Sequence, residues 1–250
     1  MRLADYGILP LALLFFEELG LPYEIESIRF ENIKQPPLTD INPNGRVPAI
    51  EDPNTGITVW ETGAIIQYLI KQYDTERLLS YDSLKEYTQC SQWLFFQVSG
   101  HGPFVGQAGW FQHLHQEKLP SAIERYVNEV RRVLGVLESV LSKKPAPQWL
   151  VGDRITYADL SFLPWNERLD VTLGVPREQM FDGFPIVKDW HERMASRLSW
   201  KKCMEIRARL MEDQGLDWHG MPKDTKSFQQ YEADIAAKHA EANKAAASKE

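Results

Sequence analysis

Residues 44–52 read Asn-Gly-Arg-Val-Pro-Ala-Ile-Glu-Asp, a short apolar run with a proline inside it. Proline has no N–H to give a sheet, so it belongs at edges, turns or bulges. On residue statistics alone, the plain reading of Pro48 is a trans proline at a sheet edge. Glu61 and Thr62 stand where a second strand-like run, Ile57 to Trp60, gives way to a helical pattern. Unpaired N–H groups and the dipole at a helix start favour an anion. Thr62 would equally serve as a plain N-cap. Lys34 and Arg46 add two cations that can meet a carboxylate or remain solvated surface charges.

Other chemistries find less support. The two cysteines, Cys90 and Cys203, lie far apart and form no Cys-x-x-Cys pair. They make no disulfide framework and suit a reducing compartment. His101, His113 and His115 have no acidic partner at ligand spacing, so no metal is expected. With net charge −7, a pI near 5.5 and no basic stripe, nucleic acid is not an expected partner. The apolar run Ile8 to Phe16 is too short to span a bilayer. Asp5, Pro10 and Glu17-Glu18 also argue against a secretory leader, so a cytoplasmic protein without a membrane partner is expected.

The elements that must position these residues follow from periodicity. Pro10 can open a helix carrying Leu11, Leu14 and Phe15, which Gly20 and Pro22 end. A strand over Tyr23 to Phe30, a loop with Pro36-Pro37, a hairpin turning at residues 52–56 and a helix from about Thr62 come next. One strand in front would complete a thioredoxin-like unit, but only Met-Arg-Leu-Ala-Asp-Tyr-Gly precedes the first helix. From residue 83 to 211 the pattern is helical, most plainly in Tyr126, Val127, Val130, Val133, Leu134, Leu137 and Leu141. The fold expected is therefore an α/β thioredoxin-like domain over 1–76, its first strand in question, followed by an all-α domain over 83–211. A polar extension over 212–250 reads as a surface helix or frayed tail. Thr156 and Asp159 fit a capping box, with Ile155 and Leu160 as its hydrophobic staple.

Three separated blocks, NPNGRVPAIED, VWETGAIIQYL and WLVGDRITYADLSFLPW, together resemble the cytosolic glutathione transferases. The blocks WLFFQVSGHGPFVGQAGWF and ERYVNEVRRVLGVLE are similar to the fungal subclass related to the nitrogen-catabolite regulator that is also a prion. The resemblance runs from about Glu17 to Met211. It implies a cis bond before Pro48 and pairing of Val47's backbone with the cysteinyl part of glutathione, as an added strand would pair. It implies Thr62 on the γ-glutamyl carboxylate, Glu61 on the ammonium, and Lys34 or Arg46 on the glycine carboxylate. A hydrophobic electrophile would sit between the domains, with Phe96, His101, Phe104, Trp110, Phe111 and Trp165 as candidate lining; core packing claims most aromatic residues, so about two or three of them are expected to touch the ligand, with His101 exposed at a helix kink.

The family's thiol-activating residue is a Tyr, Ser, Cys or Asn between the first strand and first helix. The resemblance puts that position on Ile8, which cannot donate; Tyr6 is the nearest hydroxyl and serves as a candidate or as packing. Three explanations stay open: an altered N-terminus, activation by backbone N–H groups and the helix end, or a non-catalytic role. The resemblance thus implies a homodimeric glutathione transferase acting in detoxification or secondary metabolism. A glutathione-binding regulator and a glutathione-dependent peroxidase or isomerase are the alternatives.

Overall fold

The computed structural model describes residues 1–5, 10–143, 148–217 and 219–247. Tyr6 and Ile8 lie outside them.

The first strand is present. β1 (Arg2–Asp5) runs parallel to β2 (Glu24–Ser27) and antiparallel to β3 (Ala49–Asp52), which pairs with β4 (Ile57–Trp60). The order β2-β1-β3-β4 places β1 inside the sheet, with Leu3 opposite both Ile25 and Ile50. Four residues carry little strand signal of their own. Here two flanking ladders and the burial of Leu3 and Ala4 impose the conformation. β2 is shorter than the expected run Tyr23 to Phe30, while β4 spans the expected Ile57 to Trp60. The β3 ladder begins only at Ala49, because Pro48 has no N–H to contribute. Val47 and Pro48 therefore sit just off the sheet, joined by a cis peptide bond.

α1 (Leu11–Glu18) ends at Gly20, whose φ of +62° suits glycine, and α3 (Thr62–Tyr73) buries Ile65, Ile66, Leu69 and Ile70 on the same core. The short α2 (Leu38–Ile41) covers the other side. After α3 the Asp74 carboxylate accepts from the N–H groups of Leu78 and Leu79 and from Ser80 Oγ, at 2.7, 3.1 and 2.6 Å. The helical part follows as α4 (Leu84–Phe96), α5 (Gly102–Gly109), α6 (Pro120–Leu141), α7 (Tyr157–Leu160), α8 (Leu163–Asn166), α9 (Leu169–Leu173), α10 (Pro185–Ala195) and α11 (Leu198–Asp213). One core runs through both parts, from Leu3 and Phe16 to Val133, Phe162 and Trp190.

Two π-helical stretches, Gln97–His101 and Trp110–Leu114, flank α5. Each widens a turn and re-aims the side chains that follow. The polar extension forms α12 (Phe228–Ala247), a surface helix whose first turns are tied down. Tyr231 is buried, and Lys238 pairs with Glu31 at 3.0 Å.

Candidate functional site

A cleft of about 480 Å³ opens between the sheet domain and the helices. Val47 and Pro48 form one wall, Glu61 and Thr62 another, and Lys34, Arg46 and Trp165 complete the rim. All six residues expected to face glutathione therefore meet on one surface.

The wall at Val47 is positioned by Asn42, which is buried. Its Nδ2 donates to the Arg46 carbonyl at 2.6 Å and its Oδ1 accepts from the Asn44 N–H at 3.0 Å. Gly45 closes this turn at φ +55°. A Cβ there would stand 2.7 Å from the Ile33 carbonyl oxygen, so only glycine fits. Lys34 Nζ donates to the Asn44 carbonyl at 2.7 Å, which holds the ammonium beside the loop. Among the described residues, no backbone hydrogen bond claims the N–H or C=O of Val47. Those groups are placed as the side of a ladder waiting for an extended partner.

Across the cleft, Glu61 caps α3 with its carbonyl, which accepts from the Ile65 N–H at 2.9 Å. Its φ is +70°, a region that non-glycine residues avoid. The bend presents the first N–H groups of α3 and the Thr62 hydroxyl to the cleft, where the helix dipole adds attraction for a carboxylate. Cations on one side, a carboxylate on another and an unpaired extended backbone between them suit a short peptide with one ammonium and two carboxylates. The start of α1 also reaches the cleft through Leu11. Sequence reasoning missed Asn42 and Phe30; the Asn-Pro-Asn-Gly turn was the available signal for Asn42.

A second cleft of about 230 Å³ adjoins the first and shares Trp165 with it. Its other walls are α5 at Val105, Gly106 and Gly109, then Trp110 and His113, then Arg168 and Thr172, and finally His219 from beyond α11. Of the aromatic residues expected around an electrophile, Trp110 and Trp165 lie here. The other four point elsewhere. Phe96 packs in the core against Trp93 and Phe162, at 5.6 and 6.4 Å between ring centroids. Phe111 stacks on Tyr126 at 5.5 Å, and Phe104 lies beneath the Arg132 guanidinium at 6.0 Å. His101, expected to be exposed, is wholly buried, and its Nε2 pairs with Asn166 Oδ1 at 3.0 Å. Burial pushes its pKa down to about 3, so the ring is neutral. His101 closes the π-helical stretch with its ring in the core, not in the cleft.

Neither cysteine can act as a nucleophile from its present position. Both are buried; burial pushes the Cys90 thiol up to about 11 and Cys203 higher still. Among the described residues, no group of three His, Cys, Asp or Glu side chains could hold a metal ion. No helix of the described residues is long and apolar enough to cross a membrane.

A thioredoxin-like domain with an unpaired ledge beside a proline, joined through an aromatic cleft to a helical domain, defines the glutathione S-transferase family, and the chain belongs to it. The family models for the N-terminal and C-terminal domains of glutathione S-transferase match residues 12–72 and 101–197. Among its relatives is the glutathione S-transferase-like protein gedE of Aspergillus terreus, 43% identical over 201 residues, covering 78% of this chain and 89% of the relative. Protein URE2 of Debaryomyces hansenii is 40% identical over 222 residues, covering 74% and 70%. Among solved structures, the glutathione transferase URE2P6 from Phanerochaete chrysosporium, in complex with oxidized glutathione, superposes with a TM-score of 0.78. It is 45% identical and covers 84% of this chain and 96% of that one. The resemblance to fungal transferases of the nitrogen-regulator type is thereby borne out.

Proposed function

We propose that the chain binds glutathione in the larger cleft and adds its sulfur to an electrophile held in the adjoining one. The observation that carries this is the unclaimed backbone of Val47 facing the start of α3 across a cleft rimmed by Lys34 and Arg46. Val47 pairs with the cysteinyl residue, Thr62 and the α3 N–H groups take the γ-glutamyl carboxylate, Glu61 takes the ammonium, and the two cations take the glycine carboxylate. The reacting species is the thiolate, because the thiol is a poor nucleophile. The start of α1, which Leu11 brings to the cleft, favours that anion through its dipole. Tyr6 is retained as a candidate donor. Structures of related proteins holding glutathione or oxidized glutathione support the reading.

Thermal melting with and without glutathione tests it. At a hundred times its dissociation constant the ligand should stabilise the fold by roughly 2.7 kcal/mol. No shift at millimolar glutathione would remove the proposal. If glutathione binds, turnover of aromatic halides would indicate a transferase in detoxification or secondary metabolism, and turnover of peroxides a peroxidase. Binding without turnover would leave the alternative of a glutathione-binding regulator.

We further propose a homodimer in the cytoplasm, the compartment that two unpaired buried thiols suit. Leu84, Tyr87 and Phe95 are 80%, 53% and 61% exposed on α4. Steps of three and eight residues put all three on one flank of a 3.6-residue helix, an apolar stripe that a second copy would cover. Phe95→Glu should turn a dimer into a monomer in sedimentation velocity. A monomeric parent chain would end this part of the proposal.

A further inference from the structure

We propose that α12 is a strap between the domains, that Phe228 and Tyr231 are positioning residues for the wall that takes glutathione, and that α12 docking and glutathione binding strengthen each other. The inference rests on the glutathione reading above and names what regulates that site. The C-terminal family match ends at residue 197, so α12 lies beyond the domain that the match defines.

The wall needs outside support. Lys34, Arg46 and Val47 lie on the segment between β2 and β3. That segment packs on a small core of its own, Ala4, Ile33, Leu38 and Ala49, separate from the core that joins the two domains. So few buried side chains hold a segment weakly. Phe30, half-buried, packs against this small core and lines the glutathione cleft. α12 docks there. Phe228, Tyr231 and Ile235 follow one another at steps of three and four, so they share one face of the helix. Tyr231 is buried with its ring 5.7 Å from that of Phe30, and Phe228 meets Phe30 edge-on at 6.2 Å. Lys238 pairs with Glu31 at 3.0 Å; its ammonium end is exposed, so the pair sets register more than it adds energy. The Phe228 ring also meets Trp110 of the helical domain at 4.8 Å, and Gln229 Nε2 donates to the Leu114 carbonyl at 3.4 Å. Trp110 lines the second cleft, so one ring touches a wall of each cleft.

The docking is reversible. The rest of α12 is mostly Ala, Glu, Lys and Gln, good helix formers with little apolar surface to bury. A lone helix of this kind frays, so undocking loosens it. An equilibrium this evenly poised responds to whatever steadies the surface it docks on. Glutathione steadies that surface. It holds Lys34, Arg46 and Val47, and Val47 packs on the same small core as Phe30. A wall already ordered by the ligand offers α12 a fixed Phe30, and less conformational entropy remains to be lost on docking. By linkage, a docked α12 raises the affinity for glutathione by the same factor.

Calorimetry of the full chain with S-methylglutathione, together with amide hydrogen exchange over residues 228–241, tests the proposal. Phe228→Ala and Tyr231→Ala should each weaken the ligand about fivefold. Phe228→Tyr keeps the ring and should bind within about twofold of the parent chain, a rescue that loss of general stability would not track. In the parent chain, saturating S-methylglutathione should slow exchange over 228–241 about fivefold, and Phe228→Ala should abolish the slowing. The exchange measurement on the parent needs no variant and serves if an alanine variant fails to fold. Unchanged affinity in both alanine variants, or exchange over 228–241 that ignores the ligand, would overturn the inference and leave the glutathione reading standing. Failure of S-methylglutathione to bind the parent chain would sink both.

Discussion

At Glu61 the demands of binding and of stability separate. Its φ of +70° lies where a side chain costs roughly 1–3 kcal/mol, and the residue at this bend aims both the α3 terminus and its own carboxylate at the cleft. Glycine adopts that backbone without strain. Glu61→Gly should therefore raise stability by about 1 kcal/mol while losing a charge-assisted hydrogen bond worth roughly 1.5–3 kcal/mol, a tenfold or greater loss of glutathione affinity. Glu61→Gln should show the affinity loss without the gain in stability. Urea unfolding and calorimetry read the two effects; an unchanged affinity in both variants would remove Glu61 from the ammonium. The residues on this wall were legible in sequence because each belongs to a short run whose own backbone sets its direction. Pro48 interrupts a strand and Thr62 begins a helix. The aromatic residues were not legible in the same way. Trp110 and Phe111 are neighbours with the same chemistry, yet one faces the cleft and the other stacks on Tyr126. A π-turn decides between them, and the packing of distant helices decides where a π-turn forms.

Among the elements, α7 depends on a motif whose reach exceeds its sequence. Asp159 Oδ2 accepts from the Thr156 N–H at 2.9 Å, its half of the capping box read from the spacing, and also from the Thr156 hydroxyl at 2.9 Å. Its Oδ1 also accepts from the Leu150 N–H at 2.8 Å and from Trp190 Nε1 at 3.0 Å. One buried carboxylate thus joins α7 to the loop before it and to α10. Thr156→Ala removes the cap and should cost about 1 kcal/mol. Asp159→Ala strands several donors in the interior, each costing about 1–3 kcal/mol, so its total should be roughly 3 kcal/mol or more. Neither change should alter glutathione affinity in the folded protein. Equal urea midpoints for the two variants would show that the carboxylate is not a hub. The box itself is local and was readable; the partners at Leu150 and Trp190 come from chain folded back onto it. β1 follows the same rule, since four residues reveal little until β2 and β3 enclose them.

For the whole molecule, the two clefts are held side by side by the shared core and by a polar fastening between α1 and α11. Glu18, its side chain 3% exposed, accepts from Arg197 Nε and Nη2 at 2.7 and 2.6 Å and also from the Ser199 hydroxyl. That pairing holds the Arg197 guanidinium above its usual pKa. Lys202 pairs with Glu17 at 2.8 Å one turn along. Breaking a fully buried ion pair costs roughly 3–5 kcal/mol, but Arg197 keeps partial access to water, so Glu18→Ala should cost about 2 kcal/mol. The functional effect should be uneven. Lys34, Arg46, Val47, Glu61 and Thr62 all belong to the sheet domain, so glutathione should bind the variant within about threefold of normal. Transfer needs the sulfur and the electrophile at near-attack distance, and the electrophile's walls are helical. A shift of about 1 Å between the domains can lower the rate about a hundredfold. Glu18→Ala should thus lower turnover far more than glutathione affinity, whereas an equal loss of both would mean that the fastening acts within the sheet domain alone.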